Sequence, residues 1–108
     1  MFNLFSTGAK LYQNLSGKEF KEKFLASSQA ELIDVRTPAE FRSGTIKGAR
    51  NIDFLSPGFR QEFLKLPKDK EYFLFCRSGN RSGQACAMLA KEGYKVYNLS
   101  GGIGEWPV

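Results

Sequence analysis

Four stretches of the chain carry apolar residues at helical spacing, and short apolar runs separate them. Ser16-Gly17-Lys18-Glu19 has the form of a capping box, with Leu15 and Phe20 placed to close a hydrophobic staple around it. The helix that follows is expected to turn Phe20, Phe24 and Leu25 inward and to end near Ser27-Ser28. Thr37-Pro38-Ala39-Glu40 repeats the signature, with proline at the first helical position, where its missing N–H costs nothing. Ser56-Pro57 predicts a third helix carrying Phe59, Phe63 and Leu66, stopped by Pro67. A fourth is expected to start near Ser82, to bury Ala85, Met88 and Leu89, and to end at Gly93.

The intervening runs are Leu32-Ile33-Asp34-Val35, Ala49 to Ile52, Tyr72-Phe73-Leu74-Phe75 and Val96-Tyr97-Asn98-Leu99, with a weaker one around Leu11-Tyr12. The 72–75 run has no polar alternation, which suits a strand covered on both faces. Strands alternating with helices predict an α/β fold: a mostly parallel sheet with helices on both faces. No repeat, low-complexity tract or linker interrupts residues 1–108, so one domain is expected, its core spanning about 12–106. In such sheets ligands bind beyond the carboxyl ends of the strands, which points to the loop after Phe75.

That loop reads Cys76-Arg77-Ser78-Gly79-Asn80-Arg81-Ser82. Successive backbone N–H groups in a turn of this kind can converge into an anion-binding nest, backed by the positive end of the following helix. Gly79 suits a position needing positive φ or close backbone approach. Arg77 and Arg81 add two permanent charges, and together these features favour thiolate over thiol at Cys76. A thiolate so placed is a nucleophile that needs no separate base. Cys86, set within the helix between Ala85 and Ala87, reads as a core residue.

Composition narrows the choices. The chain has no histidine, which removes imidazole-based triads and zincin sites. Two cysteines supply neither a disulfide framework nor a four-ligand metal set. Sixteen basic residues against eleven acidic give +5, a balance that favours anionic substrates. The positive charges are scattered, and Lys18 to Lys23 alternates with Glu19 and Glu22 as a solvated helix face does, so no nucleic-acid partner is expected. No apolar run approaches the ~20 residues of a membrane span, and Met1-Phe2-Asn3-Leu4-Phe5 lacks the basic start and apolar core of a secretory signal. With a free reactive thiol, this points to the cytoplasm.

Three blocks together resemble the rhodanese family, from about Tyr12 to Trp106: Leu32 to Arg36 with Glu40-Phe41; Gly44 to Ile52; and Tyr72 to Ser82 with Gly101-Gly102 and Trp106. The resemblance implies a five-stranded parallel α/β sheet and a single-domain sulfurtransferase of the thiosulfate type, working without a cofactor or metal. It implies that Cys76 takes the outer sulfur of a small anionic donor such as thiosulfate as a persulfide. A cyanide or thiol acceptor then removes it, and a protein persulfide is a further candidate donor. Backbone amides from Arg77 through Ser78, Gly79 and Asn80 to Arg81 would steady the sulfur charge, and Arg77 and Arg81 would hold the donor's anionic end. Asp34, Arg36 and Glu40 read as a charge network bracing the site's edge, and Trp106 as a packing residue bordering the pocket. The family often has histidine where this chain has Thr45 and proline where it has Asp53.

Two other functions fit parts of the pattern. Cysteine phosphatases and arsenate reductases also cradle an anion over a thiolate, but need five residues between cysteine and arginine to encircle a tetrahedral oxyanion. Here only four separate Cys76 from Arg81. A non-catalytic anion-sensing or partner-docking module on the same fold is the other alternative, and the retained cysteine with its loop charges argues against it.

Overall fold

The computed structural model describes residues 11–107. The reading of Met1–Phe5 as lacking a secretory signal falls outside the described residues. Five strands, β1 (Gln13–Leu15), β2 (Ala30–Asp34), β3 (Arg50–Asn51), β4 (Glu71–Phe75) and β5 (Lys95–Leu99), form one parallel sheet in the order β1-β5-β4-β2-β3. Helices α1 (Gly17–Ala26), α2 (Pro38–Ser43), α3 (Phe59–Phe63) and α4 (Asn80–Lys91) connect them, and a 3₁₀ turn, Ile103–Glu105, follows β5. The expected α/β architecture is therefore the one observed.

Side-chain alternation along β4 divides the core between the two faces. Tyr72 and Leu74, with Cys76 beyond them, pack with Phe59 and Phe63 of α3 and Ala85 and Leu89 of α4. Phe73 and Phe75 turn the other way, against Phe20 of α1, Ile46 and Leu99. All four aromatic and aliphatic side chains from Tyr72 to Phe75 are fully buried, which explains their unbroken apolar run. Both capping boxes form: Ser16 Oγ accepts from Glu19 N, Thr37 Oγ1 accepts from Glu40 N, and each glutamate accepts in return from its cap's backbone N–H.

Four local expectations need correction. The first strand is Gln13–Leu15 rather than Leu11-Tyr12; as an edge strand it exposes Gln13 and Asn14, so apolar content marks it poorly. Leu25 is 68% exposed, because the Phe20–Phe24 stripe, spaced four residues apart, takes the inward face of α1. Ser56-Pro57 lies in a turn, and α3 begins only at Phe59, with Leu66 beyond its end. Finally, α4 begins at Asn80, two residues before Ser82, so Arg81 and Ser82 belong to its first turn.

The strand order creates one switch point. From β2 the chain proceeds outward to β3, whereas from β4 it proceeds to β5 in the opposite direction. The crevice beyond the carboxyl ends of β2 and β4 is where such sheets bind ligands. Asp34 and Arg36 leave β2 on one side of it, and Cys76 leaves β4 on the other.

Candidate active site

Cys76 directly follows β4, and the loop then climbs to Gly79, whose φ of 91° is left-handed. Two things reserve that position for glycine. A side chain there would strain the backbone, and its Cβ would run into the Ser100 carbonyl. A second glycine, Gly102 (φ 83°), lets the segment after β5 approach the backbone of Arg77 and Ser78 closely. Ile103 N then donates to the Cys76 carbonyl at 2.8 Å, so the two carboxyl-end loops brace each other.

No side chain of the N-cap residue Gly79 caps α4. The cysteine sulfur takes that place. Cys76 Sγ accepts from Gly79 N at 3.1 Å, from Ser82 N at 3.4 Å and from the Ser82 hydroxyl at 3.3 Å. Ser82 is the third residue of the helix, the position whose N–H an ordinary capping oxygen would accept. The helix thus presents unsatisfied N–H groups and the positive end of its dipole to the sulfur, with no acidic residue in its first turn to compete.

The electrostatic outcome follows from two opposed effects. Burial of the thiol raises its pKa, and the donors from Ser82, Ser78 and Gly79 more than offset this, so Cys76 lies below the ordinary cysteine range. Hydrogen-bond donors, rather than the two arginines, are the larger influence. Ser82 was read from the sequence only as the start of a helix. Its hydroxyl, 0% exposed, is the first of the groups favouring the thiolate. Cys86 is the contrast: burial, with the charge of Cys76 nearby, pushes its thiol far up and keeps it neutral.

The remaining residues form two ion pairs around the crevice. Arg36 grips Asp34 through Nε–Oδ1 at 3.0 Å and Nη2–Oδ2 at 2.7 Å, and Nη2 also donates to the Gly44 carbonyl at 2.6 Å. Thr45 Oγ1 donates to Asp34 Oδ2 at 2.8 Å, giving the buried carboxylate a further donor. Across the crevice, Arg81 meets Glu40 as a fork: Nη1–Oε1 at 2.8 Å and Nη2–Oε2 at 3.1 Å. The guanidinium of Arg81 and the N–H of Thr37 hold the Glu40 carboxyl at a pKa of about 2. Arg81 is therefore engaged by an acid 41 residues away in the sequence. Arg77 is exposed and carries no ion pair among the described residues. Ser78 and Asn80 are exposed on the loop's outer side, where Ser78 Oγ accepts from Asn80 N. Trp106 lies against α1, edge-on to Phe20 and Phe24 with Lys21 over its ring, so its contacts are with the core on that face.

Among the described residues no group of three or more histidine, cysteine, aspartate or glutamate side chains is arranged to hold a metal ion, and no helix is long and apolar enough to cross a membrane.

The geometry is that of a cysteine sulfur seated among three hydrogen-bond donors at a sheet switch point. Residues 16–107 match the family described as the Rhodanese-like domain, and the chain belongs to that family. A protein of Allochromatium vinosum named Sulfurtransferase is 35% identical over 97 residues, covering 89% of each chain. The crystal structure of a rhodanese-like domain protein from Staphylococcus aureus superposes with a TM-score of 0.76 at 27% identity, over 88% of this chain and 91% of that one. The structure of an NAD-dependent persulfide reductase from A. fulgidus contains a similar unit, at a TM-score of 0.66 and 29% identity, covering 90% of this chain and 16% of that chain.

Proposed function

We propose that this rhodanese-like protein transfers sulfane sulfur from thiosulfate or a persulfide to a thiol or cyanide acceptor, with Cys76 as the carrier. The observation that carries this reading is the triple hydrogen bonding of Cys76 Sγ by Gly79 N, Ser82 N and Ser82 Oγ at the start of α4. Donors so placed favour the thiolate without a base, in a chain that has no histidine to act as one.

The first half-reaction forms a bond from Cys76 Sγ to the donor's outer sulfur. The donor's own sulfur bond breaks, and its electron pair leaves with sulfite or with a thiolate. The product is a Cys76 persulfide whose charge rests on the outer sulfur, within reach of the amides between Arg77 and Arg81. In the second half-reaction an acceptor thiolate or cyanide attacks that outer sulfur, and the electron pair returns to Cys76. No net oxidation of the protein occurs and no cofactor is required. The four residues between Cys76 and Arg81 make a small ring, suited to one sulfur atom rather than to a tetrahedral oxyanion. The likeness to a unit of a persulfide reductase supports persulfides as a donor class.

The test is intact-mass measurement after incubation with thiosulfate and with glutathione persulfide. The wild type is expected to gain one sulfur atom, Cys86→Ser to gain one, and Cys76→Ser none. A Cys76→Ser protein that still turned over a sulfane donor would refute the relay. A wild type that took up no sulfur from any donor would leave the non-catalytic docking module as the better account.

A further inference from the structure

Asn98 stands on β5 where its surroundings call for an apolar side chain. Its register partners are the fully buried Leu74 on β4 and Asn14 on β1. The residue is 3% exposed, and asparagine is a poor strand former. Its side-chain oxygen accepts no hydrogen bond among the described residues, so a buried acceptor is left unpaired. Such groups are rare in folded proteins, because burying them without a partner is unfavourable. A leucine would fill the position without that cost.

The compensation lies in the side-chain N–H groups, and both are used. Asn98 Nδ2 donates to Asn14 Oδ1 at 2.8 Å and to the Gly79 carbonyl at 3.1 Å. A carbonyl only accepts, so the end of the amide that faces Gly79 is its nitrogen. Gly83, the fourth residue of α4, leaves room for it: a Cβ there would lie 3.2 Å from Asn98 Nδ2, closer than a Cβ ordinarily sits. Glycine is otherwise unfavourable inside a helix.

The N–H of Gly79 makes the shortest of the three contacts to the sulfur, 3.1 Å to Cys76 Sγ. Gly79 therefore stands between two hydrogen bonds, its carbonyl tied to Asn98 and its N–H aimed at Cys76. The same carbonyl accepts from Gly83 N at 3.0 Å, but that bond belongs to the helix and moves with it. The bond from Asn98 is anchored in the sheet. A left-handed glycine has wide backbone freedom, and fixing its polar groups is what holds one orientation. We infer that Asn98 is a positioning residue: through the Gly79 carbonyl it holds the Gly79 N–H on the sulfur and so helps to keep Cys76 ionised. This rests on the relay proposed above in taking the Cys76 thiolate as the reactive group.

The experiment compares the wild type with Asn98→Leu, which removes both halves of the amide and keeps most of the volume. Neither side chain is charged, and Arg81 and Cys86, which share electrostatic reach with Cys76, are left in place. Two quantities are followed across pH: thiolate absorbance in the ultraviolet, and the amide proton resonance of Gly79 in isotopically labelled protein. In Asn98→Leu the ionisation constant of Cys76 should fall about threefold to tenfold, part of what complete loss of a hydrogen bond to a charged group costs. The Gly79 resonance should move downfield as Cys76 ionises in the wild type, and by less in the variant. Loss of folded protein alone would lower the absorbance change without moving its midpoint. Gly83→Ala crowds the same amide from the helix side while introducing a better helix former, and should shift the midpoint in the same direction by a smaller factor.

An unmoved ionisation constant in Asn98→Leu would overturn the inference, as would a Gly79 response equal to that of the wild type. Should Asn98→Leu fail to fold, Gly83→Ala decides alone by the same two readings. A wild type that takes up no sulfur from thiosulfate or glutathione persulfide would overturn the relay and not the positioning role, since neither reading depends on transfer.

Discussion

Replacing Ser82 by alanine tests how the thiolate of Cys76 is stabilised. The substitution deletes the hydroxyl that donates to Cys76 Sγ at 3.3 Å and leaves the Ser82 backbone N–H, at 3.4 Å, in place. Because the side chain is fully buried, bulk water does not readily substitute for the lost donor. A hydrogen bond to a charged partner contributes ~1.5–3 kcal/mol. At ~1.4 kcal/mol per factor of ten, the ionisation constant of Cys76 should fall about tenfold to a hundredfold. The assay is the pH dependence of single-turnover sulfur loading, with thiolate absorbance in the ultraviolet as an independent record of ionisation. The midpoint of the acid limb should move up in Ser82→Ala, the plateau at high pH should approach that of the wild type, and Ser82→Thr should restore the midpoint. An unmoved midpoint would show that the backbone amides and helix dipole suffice. A loss uniform across pH would show that Ser82 positions the loop and does not tune its charge.

Two further outcomes follow from the ion pairs. Arg36→Ala would strand the Asp34 carboxylate, 0% exposed, with the Arg36 N–H and Thr45 as its remaining donors, and should cost ~3–5 kcal/mol in denaturant unfolding; a loss under about 1 kcal/mol would refute the view that the pair is a buried unit. The carboxyls of Glu40, held down by Arg81, and of Glu71, held down by the Ser27 hydroxyl and Lys95, titrate at about 2 in the folded chain against 4.5 ordinarily. Folded values below unfolded ones mean that their stabilisation is complete above about 4.5 and is lost as pH falls toward 2. Melting temperature should therefore decline across that window, and less steeply in Glu40→Gln and Glu71→Gln; an identical slope in both variants would contradict the assignment.

Features that depend on neighbours in sequence were legible from the chain alone. Ser16 and Glu19, like Thr37 and Glu40, are three residues apart, and the structure closes both boxes. The apolar run from Tyr72 to Phe75 announced a strand buried on both faces, and its end located the loop. Features that depend on distant partners were not. Nothing near Glu40 in sequence reveals that its second role is with Arg81. Ser82 illustrates a different obstacle, since a serine before an apolar helical stretch looks like an N-cap. The actual cap position belongs to Gly79, whose left-handed backbone is invisible to helix propensity, and the capping atom is a sulfur six residues before Ser82. β1 escaped because Gln13 and Asn14 occupy the sheet's rim, where alternation carries little apolar signal.

The placement of Cys76 at the head of α4 ties the protein's chemistry to its architecture. An ordinary cap is permanent, an oxygen that stays where folding put it. Here the atom that completes a 12-residue helix is the one that, in the proposed relay, would give and receive sulfur, so each turnover would rewrite a structural bond. With sulfur bound as proposed, the negative charge would move one atom outward along the persulfide, away from the amides of Gly79 and Ser82. The end of α4, and through Ile103 the segment after β5, would then settle around a different charge position. Under that relay, empty and loaded protein would be two differently terminated helices, and the cargo would be legible in the fold as well as in the chemistry.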